Sequence, residues 1–110
     1  MSTLSTHVLD AVAGAPATGV PVALDRRSAA GPDWTAVGRG TTDADGRISG
    51  LAPGPLEPGV YRLVFDTDAY TTAETGFYPE IAIAFRITEE RHYHVPVLLS
   101  PFAYSTYRGS

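Results

Sequence analysis

His7, His92, His94, Arg47 and Tyr107 are the residues of this chain best suited to chemistry. An unperturbed imidazole titrates at about 6.5, so a neutral histidine can take a proton from water near neutral pH while a second orients or returns it. Arg47 directly follows the Asp45-Gly46 pair, a turn signal, and its guanidinium is a permanent cation with a planar fork of donors. Singly, each residue has a plainer reading: strand histidines are more often core or surface residues, Arg47 reads as a surface arginine and Tyr107 as a packing aromatic. His92 and His94 share a strand face at i, i+2, and with His7 they form a conceivable three-histidine zinc set. No carboxylate falls on that face to support such ligands, so a metal site is not expected.

Other chemistries are poorly served. Ser100, Ser105 and Ser110 lack the Gly-x-Ser-x-Gly elbow of many serine hydrolases. Asp43, Asp45, Glu89 and Glu90 fall in turns and form no glycosidase-like pair. The chain has no Cys, Lys, Asn or Gln, which removes thiolate nucleophiles, Schiff-base lysines and side-chain amide oxyanion holes.

The elements that must carry these residues are short strands. Residues 3–10 alternate, with His7 beside Leu9 on one face and Thr6, Val8 and Asp10 on the other. Residues 13–19 are a turn-rich connection, and 20–26 a strand with Pro21 at an edge or first rung. Residues 34–39 read as a strand, 41–47 as a turn, 48–51 as a short strand and 52–59 as irregular. Residues 60–66 and 81–87 alternate strongly. Residues 68–76 alone have helical character, with Asp68 as cap and Gly76 as stop. In 92–99, His94, Pro96 and Leu98 share one face, and Tyr93, Val95, Val97 and Leu99 the other. Ser100-Pro101 turns the chain into a strand over 102–108, which places Ser105 and Tyr107 with His94. The expectation is an all-β antiparallel sandwich of about eight strands with one short helix, in one domain spanning 1–110.

With 110 residues, 44% hydrophobic and 18% charged, the chain has the makeup of a globular domain. A net charge of −4 with scattered arginines argues against nucleic-acid binding. No apolar run reaches the roughly 18 residues of a membrane span, and residues 1–7 lack a signal-peptide pattern, so a cytoplasmic protein is expected. The apolar 92–108 hairpin suggests an oligomer that covers its edge.

Five segments together go further: Ser5-Thr6-His7-Val8-Leu9-Asp10, Thr41-Thr42-Asp43-Ala44-Asp45-Gly46-Arg47, Phe77-Tyr78-Pro79-Glu80, His92-Tyr93-His94-Val95-Pro96 through Ser100-Pro101, and Tyr107-Arg108-Gly109-Ser110. In these the chain resembles the hydroxyisourate hydrolase branch of the transthyretin family, from Leu4 to Ser110. The resemblance implies a transthyretin-like sandwich and a homotetramer, a dimer of dimers with a central channel. It implies His7, Arg47 and His94 as catalytic residues, His7, Arg47, Tyr107 and Ser110 as substrate-binding residues, and no cofactor. The expected reaction is hydrolysis of 5-hydroxyisourate to 2-oxo-4-hydroxy-4-carboxy-5-ureidoimidazoline. The division of labour between the histidines stays open, with a leaning to His7 as base. A carrier of aromatic ligands on the same fold and a structural β-sandwich module are the rivals.

Overall fold

A computed structural model describes residues 2–72 and 76–109. Among these, eight strands form two four-stranded sheets: β1 (Thr3–Asp10), β2 (Ala15–Pro16), β3 (Pro21–Arg27), β4 (Trp34–Thr41), β5 (Gly59–Phe65), β6 (Ile81–Ile87), β7 (His92–Leu99) and β8 (Tyr104–Thr106). One sheet runs β2-β1-β7-β8 and the other β4-β3-β5-β6. The fold is the expected all-β sandwich.

The core follows from strand alternation. Val8 from β1 and Tyr93, Val95, Val97 and Leu99 from β7 point inward to meet Val22 and Leu24 of β3, Tyr61, Leu63 and Phe65 of β5, and Ile81 and Ile87 of β6. Because side chains alternate, burying this set commits the intervening residues of β1 and β7 to the outer face of their sheet. Pro21 sits at the first rung of β3, where its missing donor costs no central ladder bond.

Three expectations are corrected. The pairing is not wholly antiparallel, since β1 and β7 run parallel over eight residue pairs. Residues 48–51 form no strand. They cross the face of β4, where a Cβ on Gly38 would lie 1.9 Å from the Leu51 carbonyl oxygen and one on Gly40 would lie 2.5 Å from Ile48 Cγ2. A segment stacked over a sheet face cannot join its ladder. The helix expected over 68–76 is one 3-10 turn, Thr67–Ala69, capped by Asp66 rather than Asp68. Ala73, Glu74 and Thr75 lie outside the described residues. Competing partners hold the turn: the Thr67 hydroxyl donates to the Tyr78 carbonyl, and the Tyr70 hydroxyl donates to Asp10 Oδ2 at 2.7 Å.

β8 is also shorter than the 102–108 expected. Ser100 receives the chain back by a main-chain bond from its N–H to the Ala103 carbonyl, so 100–103 is turn. Beyond Thr106 the ladder meets Pro96, which has no N–H to donate. The Thr106 hydroxyl donates to the Pro96 carbonyl instead. Pairing reappears two residues beyond Pro96, where Gly109 bridges His94. Among the described residues, no helix is long and apolar enough to cross a membrane.

Candidate functional site

The site grows from the register of β1 against β7. Thr6 and Val8 are buried, each with 1% exposure, which turns Ser5 and His7 outward. The Thr6 hydroxyl donates to the Val95 carbonyl at 2.7 Å and fixes the register from inside. In that register Thr3 lies opposite His92, Ser5 opposite His94, and His7 opposite Pro96. Partners in a ladder share a face. His7, His92 and His94 therefore stand on one outer sheet face.

Arg47 joins them from the other edge of β1. The Asp43 carboxylate accepts from the N–H groups of Asp45 and Arg47 at 2.8 and 3.1 Å, and Asp43 N–H donates to the Arg47 carbonyl. Gly46 closes this turn at φ +73°, where a Cβ would press to 2.4 Å from the Val8 carbonyl oxygen and 3.3 Å from His7 Cδ2. Its carbonyl accepts from Val8 N–H at 2.8 Å, and the result is an antiparallel bridge between His7 and Arg47. Beneath the turn, the buried Thr42 hydroxyl donates to the Ala17 carbonyl and accepts from Val20 N–H. The turn is thereby stapled to the connection that leads into β3.

The far side is closed by the Tyr107-Arg108-Gly109 segment. Gly109 N–H donates to the His94 carbonyl at 2.8 Å. A Cβ on Gly109 would lie 2.7 Å from His94 Cδ2, so only glycine lets this chain lie against the imidazole. The register from Val97 opposite Thr106 to His94 opposite Gly109 sets Tyr107 across from Pro96, in the row of His7 and Arg47. Its side chain is 58% exposed. Ser105 lies opposite Leu98 on the same face. Ser110 lies outside the described residues.

The surroundings of His94 oppose its charged form. Partial burial holds its pKa below the ordinary 6.5, and the Arg47 guanidinium, His7 and His92 add to the effect, while hydrogen bonding to Ser5 opposes it. It is therefore a neutral imidazole at pH 7. A neutral imidazole beside a fixed cation can assist the addition of water to a carbonyl: one takes a proton and the other stabilises the oxyanion.

Sequence reasoning gave no role to two hydroxyls. Ser5 Oγ lies 2.7 Å from His94 Nδ1 and 2.8 Å from His92 Nε2, and Thr3 Oγ1 lies 2.6 Å from His92 Nδ1. The signal is two period-two patterns, Thr3-x-Ser5-x-His7 and His92-x-His94, which interlock only once the parallel register is known. Both ring nitrogens of His92 are thus occupied, and no group of three or more His or acidic residues able to hold a metal occurs among the described residues.

A model described as the HIUase/Transthyretin family matches residues 4–109. The chain is 44% identical over 113 residues to the 5-hydroxyisourate hydrolase of Mus musculus, covering 99% of this chain and 96% of that protein. Among solved structures it is similar to the 5-hydroxyisourate hydrolase of Klebsiella pneumoniae, with TM-score 0.86, 39% identity and full coverage of both chains. It is equally similar to sea bream transthyretin in complex with thyroxine, with TM-score 0.88, 39% identity, and coverage of 96% of this chain and 93% of that one.

Proposed function

The chain belongs to the HIUase/transthyretin family, and from that premise we propose that it hydrolyses 5-hydroxyisourate to 2-oxo-4-hydroxy-4-carboxy-5-ureidoimidazoline, a step of urate degradation. It is an enzyme, a hydrolase, like the mouse and Klebsiella proteins it resembles. The observation that carries the substrate reading is the convergence of His7, His94 and Arg47 on one sheet face, with His94 held neutral by burial and by the neighbouring cation.

In this reading His94 Nε2 takes a proton from water as the water oxygen adds to the ring amide carbonyl. Arg47 stabilises the resulting oxyanion; loss of one such donor typically costs about 3–4 kcal/mol of transition-state stabilisation. The carbon–nitrogen bond then breaks, and the proton on His94 Nε2 passes to the leaving nitrogen. His7, bridged to Arg47 by its backbone, orients the water. In this reading His94 is the base, in place of the leaning to His7, because its surroundings keep it neutral and able to accept a proton. Tyr107 offers a ring and a hydroxyl to the flat substrate from the row of His7, and Ser110 belongs to the same binding set. The outer face carrying these groups suits a channel between copies, and a homotetramer built as a dimer of dimers is part of the proposal.

The test is the ultraviolet decay of 5-hydroxyisourate generated in situ from urate. The protein accelerates decay well above the spontaneous rate, and His94→Ala or Arg47→Ala lowers kcat/KM by about 10²-fold or more, the usual scale for a lost base or oxyanion donor. Unaltered decay with a folded oligomer defeats the reading. The likeness to a thyroxine-bound transthyretin supports a carrier as the second reading. A carrier would leave the decay unchanged and bind an iodinated aromatic instead.

A further inference from the structure

His94 has a problem as a base. Accepting a proton would turn a partly buried ring into a cation facing Arg47 and two other imidazoles. The hydrogen bonds on its far side offer an outlet. His94 Nδ1 meets Ser5 Oγ at 2.7 Å, the same oxygen meets His92 Nε2 at 2.8 Å, and His92 Nδ1 meets Thr3 Oγ1 at 2.6 Å. A hydroxyl has one proton to give, so Ser5 must accept from one imidazole while donating to the other. The chain therefore has a direction. His92 is exposed and His94 is half-buried.

We propose that Ser5 and His92 form a proton relay that lets His94 act as base and then as acid without holding the charge itself. At rest, His94 carries its proton on Nδ1 and donates it to Ser5 Oγ. Ser5 O–H donates to His92 Nε2, and His92 Nδ1–H donates to Thr3 Oγ1. His94 Nε2 is left as a free lone pair; no hydrogen bond engages it among the described residues. When Nε2 takes a proton from water, the Nδ1 proton passes to Ser5 and the Ser5 proton passes to His92 Nε2. One proton enters at His94 and one is gained at His92. The positive charge comes to rest on the exposed ring, where water solvates it. In the second step the Nε2 proton goes to the leaving nitrogen, the relay runs backwards, and both imidazoles end neutral. In the relay Ser5 and His92 act only through His94, so they are positioning residues.

The relay rests on the hydrolase reading for its kinetic consequences but not for its ring chemistry, which permits separate readouts. In the holoprotein, nitrogen NMR of labelled histidines above pH 7.5 reports the tautomer of each ring. Wild type should show His94 protonated on Nδ1, and Ser5→Ala should move that proton to Nε2. In turnover, Ser5→Ala and His92→Phe should each lower kcat at least about tenfold with KM within about threefold, within the range of lost acid–base assistance. The double variant should fall no further than the worse single variant, because the residues act as one unit. Ser5→Thr, which restores a hydroxyl, should recover most of kcat. Unchanged His94 tautomer in Ser5→Ala, kcat within twofold of wild type in both single variants, or losses that multiply in the double variant would each overturn the relay. Should wild type fail to turn over 5-hydroxyisourate, the hydrolase reading falls, and the tautomer measurement alone still decides whether Ser5 sets the state of His94.

Discussion

Two forces act on His94 in the same direction. Removing part of its ring from water disfavours the charged form, and Arg47 disfavours it again. The folded chain therefore binds this proton less tightly than the unfolded chain does. Well above 6.5 the ring is neutral in both states and contributes no pH dependence. As pH falls through 6.5, the unfolded state gains protons first, so stability declines until the folded pKa is passed. Activity should follow the folded value. The acid limb of kcat/KM for the free enzyme should bend below pH 6.5, and Arg47→Ala, which removes the cation, should move that limb upward while lowering the plateau. A pH–rate profile of both proteins checks this; an acid limb above 6.5 in wild type would contradict the account. Gly109 matters at the same scale, because the absence of its side chain lets the Tyr107-Arg108-Gly109 segment confine the imidazole without displacing it.

At the scale of elements, the Arg47 turn hangs on Thr42. Its hydroxyl satisfies the carbonyl of Ala17 and the N–H of Val20, two residues with no measurable exposure. Thr42→Val keeps the shape and strands both groups, at about 1–3 kcal/mol each. Urea unfolding should show a loss of about 2–6 kcal/mol, and Thr42→Ser should show much less. Activity should fall more than stability alone explains, because the turn sets Arg47 against His7. Much of this scale could be read directly from the sequence. Residues 3–10 and 81–87 alternate so cleanly that their strands have the expected limits. The outward set His7, His94, Ser105 follows from the same alternation. What escaped depends on partners distant in sequence. The parallel pairing of β1 with β7, which alone brings Ser5 to His94, leaves no local pattern. The interruption at Pro96 and the stacking of 48–51 over Gly38 and Gly40 are likewise encounters between segments. Among the described residues of 67–76 there is one short turn, Thr67–Ala69, and the hydroxyls of Thr67 and Tyr70 tie it to Tyr78 and Asp10.

For the whole molecule, the surface is uneven. Phe102 is 73% exposed, Phe77 66% and Tyr107 58%. Tyr78 ties two of the nearby rings together by edge contacts, with centroids 4.9 Å from Phe77 and 5.1 Å from Tyr104. β8 is an edge strand with all three residues exposed. Such an edge invites pairing with another copy. Sedimentation equilibrium should give a species four times the 11.7 kDa chain, and activity per chain should fall as the expected tetramer is diluted apart. A monomer with full activity would remove the oligomer from the mechanism. The parallel β1–β7 pairing also governs the order in which a nascent chain acquires its chemistry. β3, β4, β5 and β6 pair only with one another, across shorter separations than β1 and β7, and all precede β7 in the chain. Ser5 and His94 are 89 positions apart. On the ribosome, β3 to β6 can pair while β1, with a ladder only to β2 at Leu9 and Asp10, waits for β7. The sheet that carries the proposed site closes only after β7 is synthesised, so a product stalled or truncated before β7 would lack the β1–β7 ladder and should be inactive.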